Sequence, residues 1–135
     1  MAVQLQKAAL DAGIVTRDMA SAARFYGEVL GLPQAGEIEM PGVGLVRRYA
    51  VGESILRVFV PATPPAREGS RDGFASQTGI RYLTLAVSNL DEAVAAIAAA
   101  GYKVTVPVKT LRPGVRAAQV EDADGNAVEL MQHDA

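Results

Sequence analysis

The sequence predicts one α/β domain in which a single structural unit is used twice. The two copies span residues ~9–60 and ~80–132. Each copy starts with a short apolar strand, continues with an amphipathic helix that ends at a glycine, and closes with further strands. An offset of 71 places Asp18 on Asn89, the two predicted helix caps, and an offset of 70 places Gly31 on Gly101. We attribute the one-residue slip to changes in loops, and the shared order of elements favours an internal repeat over chance similarity.

The first copy has clear boundary signals. A strand is predicted at 12–16, and the carboxylate of Asp18 can cap the helix that follows. Gly31 can supply the left-handed residue that ends this helix, and Pro33 prevents its continuation. The apolar stripe of the helix consists of Met19, Ala22, Ala23, Tyr26, Val29 and Leu30. Further strands are predicted at ~36–41, 44–51 and 54–60. Gly52-Glu53 lies where a tight turn would join the last two.

The second copy repeats this order. A strand is predicted at 81–87, Asn89 and Glu92 can form a capping box, and Gly101 can end the helix. The stripe of this helix consists of Leu90, Ala93, Val94, Ile97 and Ala100. Strands are predicted near 103–106, 115–121 and 126–132, with a loop at 107–114 and a turn at 124–126. Residues 61–79, rich in proline and glycine, are predicted to link the copies, and part of this linker could be mobile or cover a site.

Composition excludes several classes of protein. A net charge of −2 provides no broad basic surface for nucleic acid. The absence of cysteine excludes disulfides, thiolate metal sites and cysteine nucleophiles, and a single histidine, His133, excludes a histidine dyad. No apolar run approaches the ~20 residues that span a membrane, and the first residues lack the pattern of a signal peptide. We therefore expect a cytoplasmic protein without a membrane or nucleic-acid partner.

Three segments resemble a known family. Residues 11–19 (Asp-Ala-Gly-Ile-Val-Thr-Arg-Asp-Met) and 24–32 (Arg-Phe-Tyr-Gly-Glu-Val-Leu-Gly-Leu) resemble the opening of vicinal oxygen chelate proteins. This superfamily includes glyoxalase I, bleomycin-resistance proteins and extradiol dioxygenases. Residues 120–130 (Val-Glu-Asp-Ala-Asp-Gly-Asn-Ala-Val-Glu-Leu) resemble its last hairpin. The resemblance covers nearly the whole chain and implies an α+β fold, in which two paired βαβββ modules form a curled mixed sheet around a cavity, with the helices outside. It also implies a homodimer.

The resemblance implies where the chemistry lies. Metal-using members place four ligands, usually His, Gln or Glu, at positions that match Asp11, Arg57, Tyr82 and Glu129. Arg57 cannot ligate a metal because it is cationic, and Tyr82 is normally protonated. Asp11 and Glu129 with waters could hold a divalent cation such as Mg²⁺, so we expect no cofactor but leave a divalent metal open. Without a pair of histidine ligands, extradiol dioxygenase activity is not expected.

Alternation in residues 54–60 predicts which side chains face the cavity. Three uniformly apolar residues suit the layer against the helix: Leu56, Val58 and Val60. The other three would face the cavity: Ile55, Arg57 and Phe59. If Gly52-Glu53 forms a two-residue turn, Arg48 lies opposite Arg57 on the same face.

Two opposed arginines repel unless an anion lies near them. We hypothesise that Arg57 replaces the metal as the cation of the site and lies between Asp11 and Glu129. The alternative is that Arg57 extends to solvent from the mouth of the cavity.

Two main functions remain open. The first is a protein that binds a small aromatic or acidic molecule without the usual four-ligand metal site. Its ligand-binding residues would be Arg57, Arg48, Phe59, Tyr49 and Met131. The second is a lyase or isomerase in which Glu129 or Asp11 is the general base and Tyr82 the acid or oxyanion donor. A structural module without a ligand fits the polar residues predicted in the cavity less well.

Overall fold

The computed structural model describes residues 2–134 and has an α+β fold. The chain divides between Ala66 and Arg67 into two compact units. The first unit contains β1 (Ala12–Val15), α1 (Met19–Ala22), a π-helical segment (Ala23–Val29), β2 (Gln34–Met40), β3 (Gly44–Val51) and β4 (Ser54–Pro61). The second contains a 3₁₀ turn (Phe74–Ser76), β5 (Tyr82–Ala86), α2 (Leu90–Ala99), β6 (Val104–Arg112), β7 (Val115–Glu121) and β8 (Ala127–His133).

Each unit has a four-stranded mixed sheet, and the two sheets have the same topology. The order is β1-β4-β3-β2 in the first and β5-β8-β7-β6 in the second. The first strand of each unit pairs in parallel with the last, and the other neighbours are antiparallel. The predicted repeat of a βαβββ module is therefore confirmed. Closure of the modules around a shared cavity stays a prediction, as does the division of the chain into one domain with a linker.

The faces of the first sheet follow the predicted alternation. Leu56 and Val58 are 5% and 0% exposed, whereas Arg57 between them is only half-buried. Tyr49 lies directly opposite Leu56 and therefore shares its face. A methyl group added to Gly27 in the π-helical segment would lie 3.2 Å from the Tyr49 ring, so the helix covers this side of the sheet. We call the opposite side, which carries Arg57, the helix-free face of the first sheet.

The one-residue slip between the copies originates in a helix and not in a loop. Asp18 and Gly31 are 13 positions apart, whereas Asn89 and Gly101 are 12 positions apart. The N–H of Leu30 donates to the carbonyl of Phe25, five residues earlier, at 2.8 Å. A π-helical turn accommodates one extra residue within a helix, which accounts for the additional position. Attributing the slip to loops was therefore wrong.

The two helix starts differ although both caps were predicted alike. The Asp18 side chain accepts a hydrogen bond from the N–H of Ser21 at 3.2 Å, as expected. The Asn89 side chain makes no capping hydrogen bond. The first N–H of α2, that of Leu90, instead donates to Oε1 of Gln132 at 2.9 Å. The capping box predicted with Glu92 is thus replaced by a side chain from β8.

One other predicted boundary needs correction. The segment predicted as a loop at 107–114 belongs mostly to β6, which extends to Arg112, and leaves a two-residue turn at Pro113-Gly114. Residues 61–79, the predicted linker, contain the last residue of β4 and the 3₁₀ turn, and two hydrogen bonds join the segment to other parts of the chain. The guanidinium of Arg17 donates to the carbonyl of Pro65, and that of Arg71 donates to the carbonyl of Ala123.

The core of the second unit lies between α2 and one face of its sheet. Its members that are less than 2% exposed are Leu90, Ile97, Val120, Val128 and Leu130. The other side of this sheet, which carries Glu129, is its helix-free face. No helix within residues 2–134 is long and apolar enough to cross a membrane.

Candidate functional site

Asp11 lies directly before β1, where its carboxylate meets three donors. Oδ1 accepts from the Lys7 ammonium at 2.8 Å and from the N–H of Ile55 at 2.8 Å. Oδ2 accepts from Lys7 at 3.1 Å and from Nη1 of Arg57 at 3.1 Å. Lys7 also donates to the carbonyl of Glu53 at 3.2 Å, which links the segment before β1 to the turn between β3 and β4. Four hydrogen bonds fill the acceptor capacity of the carboxylate.

These contacts stabilise the ionised form of Asp11. The Lys7 hydrogen bond is the largest cause, followed by that of the Ile55 N–H, and Arg57 adds to both. Partial burial opposes them, but the pKa of Asp11 still falls from 3.8 to about 2. A carboxylate with such a low pKa is a poor proton acceptor near neutral pH.

The two arginines lie where the register predicted. Arg48 on β3 is directly opposite Arg57 on β4, and both side chains are half-buried on the helix-free face of the first sheet. Arg57 has Asp11 as its partner. Arg48 pairs with no acidic side chain among residues 2–134. Its guanidinium lies beside Gly36 on β2, with Nη1 3.9 Å from the position that a Cβ of Gly36 would occupy. The first half of the ion-pair hypothesis, Arg57 with Asp11, is confirmed. Its pairing with Glu129 stays a prediction.

The aromatic residues predicted to bind a ligand separate onto two faces. Phe59 is two residues beyond Arg57 on the helix-free face and is half-buried. Tyr49 is 2% exposed on the helix-covered face, where it hydrogen-bonds to Arg47. The Tyr49 contact and the Glu37 carboxylate at 2.8 Å hold the pKa of Arg47 above its usual value. Tyr49 therefore belongs to the core of the first unit and does not line the face that carries Arg57.

In the second unit, Glu129 lies on the helix-free face of the sheet. Thr84 on β5 is its direct neighbour, and the Thr84 hydroxyl donates to Oε1 of Glu129 at 2.9 Å. Gln119 on β7 is its neighbour on the other side. No cationic side chain among the described residues pairs with Glu129, so its surroundings differ fundamentally from those of Asp11.

Tyr82 and Met131 flank this carboxylate on the same face. Tyr82 is two residues before Thr84 and is 51% exposed. Its ring meets that of Phe74 edge-on, with centroids 5.5 Å apart and planes at 79°. Met131 is two residues beyond Glu129 and is half-buried. Phe74, in the segment predicted as a linker, thus packs against a predicted site residue.

Comparisons with known proteins agree with this architecture. A family model of the glyoxalase/bleomycin resistance protein/dioxygenase superfamily matches residues 8–130, a range that contains the first module and the second as far as Leu130 in β8. The chain belongs to this superfamily. A comparison with curated proteins finds no match.

Solved structures of the glyoxalase superfamily share the fold. A glyoxalase family protein from Bacillus cereus is 18% identical, with a TM-score of 0.82, over 98% of this chain and 100% of that chain. A glyoxalase/bleomycin resistance protein/dioxygenase domain from Frankia sp. EAN1pec is 19% identical, with a TM-score of 0.76, over 96% and 93%. The trypanothione-dependent glyoxalase I of Leishmania major is 18% identical, with a TM-score of 0.71, over 91% and 84%. At these identities the likeness shows the fold alone.

The superfamily includes metal-dependent proteins, but the first unit fits a metal poorly. Asp11 already accepts four hydrogen bonds, and a divalent cation would have to displace the Lys7 ammonium and lie beside Arg57. Within residues 2–134 no cluster of three or more His, Asp or Glu side chains could hold a metal. Asp11 as a metal ligand is therefore disfavoured by its donor set.

Three residues at these sites escaped the sequence analysis: Lys7, Thr84 and Gln119. Lys7 lies four positions before Asp11. That spacing indicates a contact only within a helix, and no helix is predicted there. Thr84 and Gln119 become neighbours of Glu129 only through the pairing of three strands. The predicted boundaries of β5, β7 and β8 carried that signal, because aligning them on a common register brings the three residues together.

Proposed function

We propose that this protein binds a small organic anion on the helix-free face of the first sheet, with the Arg48 guanidinium as the main anion-binding group. The observation that carries the proposal is the environment of Arg48. It is half-buried, it lies opposite a second arginine, and no described carboxylate neutralises it. Like charges that face each other across two strands are destabilising, so a bound anion relieves a cost inherent in the fold.

The charge count supports this assignment. Arg57 and Lys7 share the single negative charge of Asp11, so this carboxylate has no charge left to balance Arg48, which lies opposite Arg57. An anion placed beside Arg48 would receive charge-assisted hydrogen bonds from its planar group of N–H donors. Carboxylates suit this geometry because a guanidinium can bind both of their oxygens at once.

The surroundings of Arg48 favour an organic body on the anion. Val46 and Phe59 form the next directly opposite pair along the same face, and Ile38 on β2 extends it with 52% of its side chain exposed. Apolar side chains beside a few polar groups are typical of small-molecule sites. An aromatic or branched carboxylate would place its charge at Arg48 and its body over these residues.

A titration with benzoate tests the proposal. We expect Arg48→Met to weaken benzoate binding at least about ten-fold, the loss of one charge-assisted contact. Arg47→Met is the matched control, since it removes the same charge from the adjacent residue on the opposite face and should leave the affinity unchanged. Unchanged benzoate affinity in Arg48→Met, or equal losses in both variants, would contradict the proposal.

A second candidate function is catalysis of an isomerase or lyase reaction with Glu129 as the general base. The observation that favours it is the carboxylate of Glu129, which is half-buried and receives one hydroxyl hydrogen bond without a cationic partner. Such a carboxylate keeps an oxygen free to face a substrate, which the saturated Asp11 does not. Tyr82, exposed on the same face, is the candidate acid.

Catalysis is tested separately from binding. For any bound compound that is converted, Glu129→Gln should abolish turnover and retain binding, because the amide keeps the shape but cannot take up a proton. Asp11→Asn serves as the comparison, and its turnover rate per folded molecule should match that of the wild-type protein. Full turnover by Glu129→Gln would exclude Glu129 as the base.

A further inference from the structure

The helix-free face of the second sheet carries a row of polar side chains that the anion-binding proposal does not use. Thr84, Glu129 and Gln119 lie in register on three adjacent strands, β5, β8 and β7. Directly opposite residues share a face and have their Cβ atoms about 4.5–5.5 Å apart. The three side chains therefore form a continuous line across the sheet, which we call the polar row.

Gln119 is the unusual member of the polar row. Its side chain is only 8% exposed, and its Oε1 lies 3.2 Å from the hydroxyl of Thr105. The amide nitrogen has no partner among residues 2–134. Within residues 2–134, every side-chain nitrogen or oxygen of a non-exposed residue that is cut off from solvent has a hydrogen bond. Because the amide nitrogen of Gln119 has none, it must be accessible to solvent. Both N–H donors of this largely buried amide are therefore available to a partner from outside the chain.

Glu129 supplies the complementary acceptor. Thr84 donates to Oε1 and so fixes the carboxylate, which leaves Oε2 to accept another hydrogen bond. Gln119 and Glu129 thus present one donor and one acceptor side by side. Thr84 is a positioning residue, because it acts by orienting Glu129.

We propose that the polar row binds a neutral carboxamide group. The amide N–H₂ of the ligand would donate to Glu129, and its carbonyl would accept from the amide nitrogen of Gln119. A carboxylate ligand has no donor for Glu129 and would be repelled by its charge, and an ammonium ligand would leave the Gln119 donor without a partner. Tyr82 and Met131 provide apolar surface for a ring attached to the carboxamide.

The polar row shares no residue with the anion-binding proposal, and its one charged member, Glu129, is an anion where Arg48 is a cation. The probes are therefore benzamide and benzoate, which share a ring and differ in the group recognised. Amide chemical shifts measured during titration show which strands each probe perturbs. We expect benzamide to perturb β5, β7 and β8, and benzoate not to perturb them.

Variants decide whether the polar row is responsible. Gln119→Leu should weaken benzamide binding at least about ten-fold, because it removes the donor and keeps the volume. Gln77→Leu, the same change at an exposed residue of this unit, should have no effect. Thr105→Val removes the hydroxyl that holds Oε1 of Gln119, so it should also weaken binding, but less than Gln119→Leu. Thr84→Val should weaken binding less than Gln119→Leu.

Several results would overturn the inference. Benzamide that perturbs none of the three strands, or Gln119→Leu that binds it like the wild-type protein, would exclude the site. Equal perturbation of these strands by benzoate would exclude recognition of a neutral group. If Gln119→Leu fails to fold, Gln119→Asn replaces it. The shorter amide stays polar but cannot reach the same position. Benzamide affinity equal to that of the wild-type protein in Gln119→Asn would also exclude the site.

Discussion

At the scale of single residues, the two carboxylates of the predicted site differ in what they can still bind. Asp11 holds four hydrogen bonds from an ammonium, a guanidinium and a backbone N–H, whereas Glu129 holds one from a hydroxyl. The resemblance implies that both lie at positions where metal-using relatives carry ligands, but residue type alone does not distinguish them. The difference depends on Lys7 and Thr84, which reach the carboxylates only in the folded chain.

The saturation of Asp11 predicts a specific pH dependence of stability. Its pKa is about 2 in the folded protein and 3.8 ordinarily, so its interactions contribute fully above about pH 4 and are lost as the pH falls towards 2. The difference in urea midpoint between wild type and Asp11→Asn should therefore be constant near neutral pH and shrink below about pH 4. Lys7→Met should raise the pKa of Asp11 measured by carboxyl NMR, whereas Lys103→Met should not. A difference in midpoint that does not change with pH would contradict the assigned contacts.

Gly44 at the start of β3 is a second residue with a defined consequence. Its φ is +148°, and an added Cβ would lie 2.3 Å from the carbonyl oxygen of Val60 and 2.7 Å from the ring of Phe59. Because the obstruction includes backbone, Gly44→Ala should destabilise the protein by about 2 kcal/mol or more. Gly69→Ala, at an open position without positive φ, should change the free energy of unfolding by less than about 0.5 kcal/mol. Equal midpoints in urea denaturation for the two variants would contradict this.

At the scale of elements, strand positions were predictable because burial alternates with period two, and helix details were not. The register of β3 and β4 followed from a two-residue turn at Gly52-Glu53, and it correctly placed Arg48 opposite Arg57. The same register places Tyr49 with Leu56, so the prediction that Tyr49 binds a ligand conflicted with information already present. The cap from Gln132 is a tertiary contact, which no pattern within α2 encodes, and apolar spacing did not distinguish the π-helical turn at Leu30 from ordinary α-helix.

The two faces of β4 predict unequal costs for similar truncations. Leu56→Ala removes a side chain that is 5% exposed against the helix and should cost roughly 2–5 kcal/mol. Ile55→Ala removes a half-buried side chain of the same size on the helix-free face and should cost about 1 kcal/mol. Its backbone N–H would still donate to Asp11, so the site contacts persist. Chemical denaturation measures both costs, and a larger loss for Ile55→Ala would reverse the assignment of the faces.

At the scale of the whole molecule, the internal repeat was the most predictable feature, and the use of the repeated positions was the least. Both sheets have the same order, and the corresponding strands β4 and β8 both place a charged residue on the helix-free face, Arg57 and Glu129. These charges have opposite sign, and their neighbours differ accordingly. On the two proposals above, a duplicated fold with different side chains at equivalent positions provides one face for an anion and one for a neutral donor–acceptor group.

Salt should distinguish these two faces, because the net charge of the chain is −2 and its overall field does not attract anions. Affinity for benzoate must then come from the local cations around Arg48. Raising the ionic strength from about 30 mM to about 300 mM shortens the Debye length from about 18 Å to about 6 Å. At half-buried groups this should weaken benzoate binding by about five-fold, the equivalent of about 1 kcal/mol. Benzamide is neutral, so its affinity should stay unchanged over the same range.

Calorimetric titration of both probes at the two ionic strengths provides the measurement, and Arg48→Met should remove most of the salt dependence. Benzoate affinity that is insensitive to salt in the wild-type protein would show that the guanidinium is not the group that binds it.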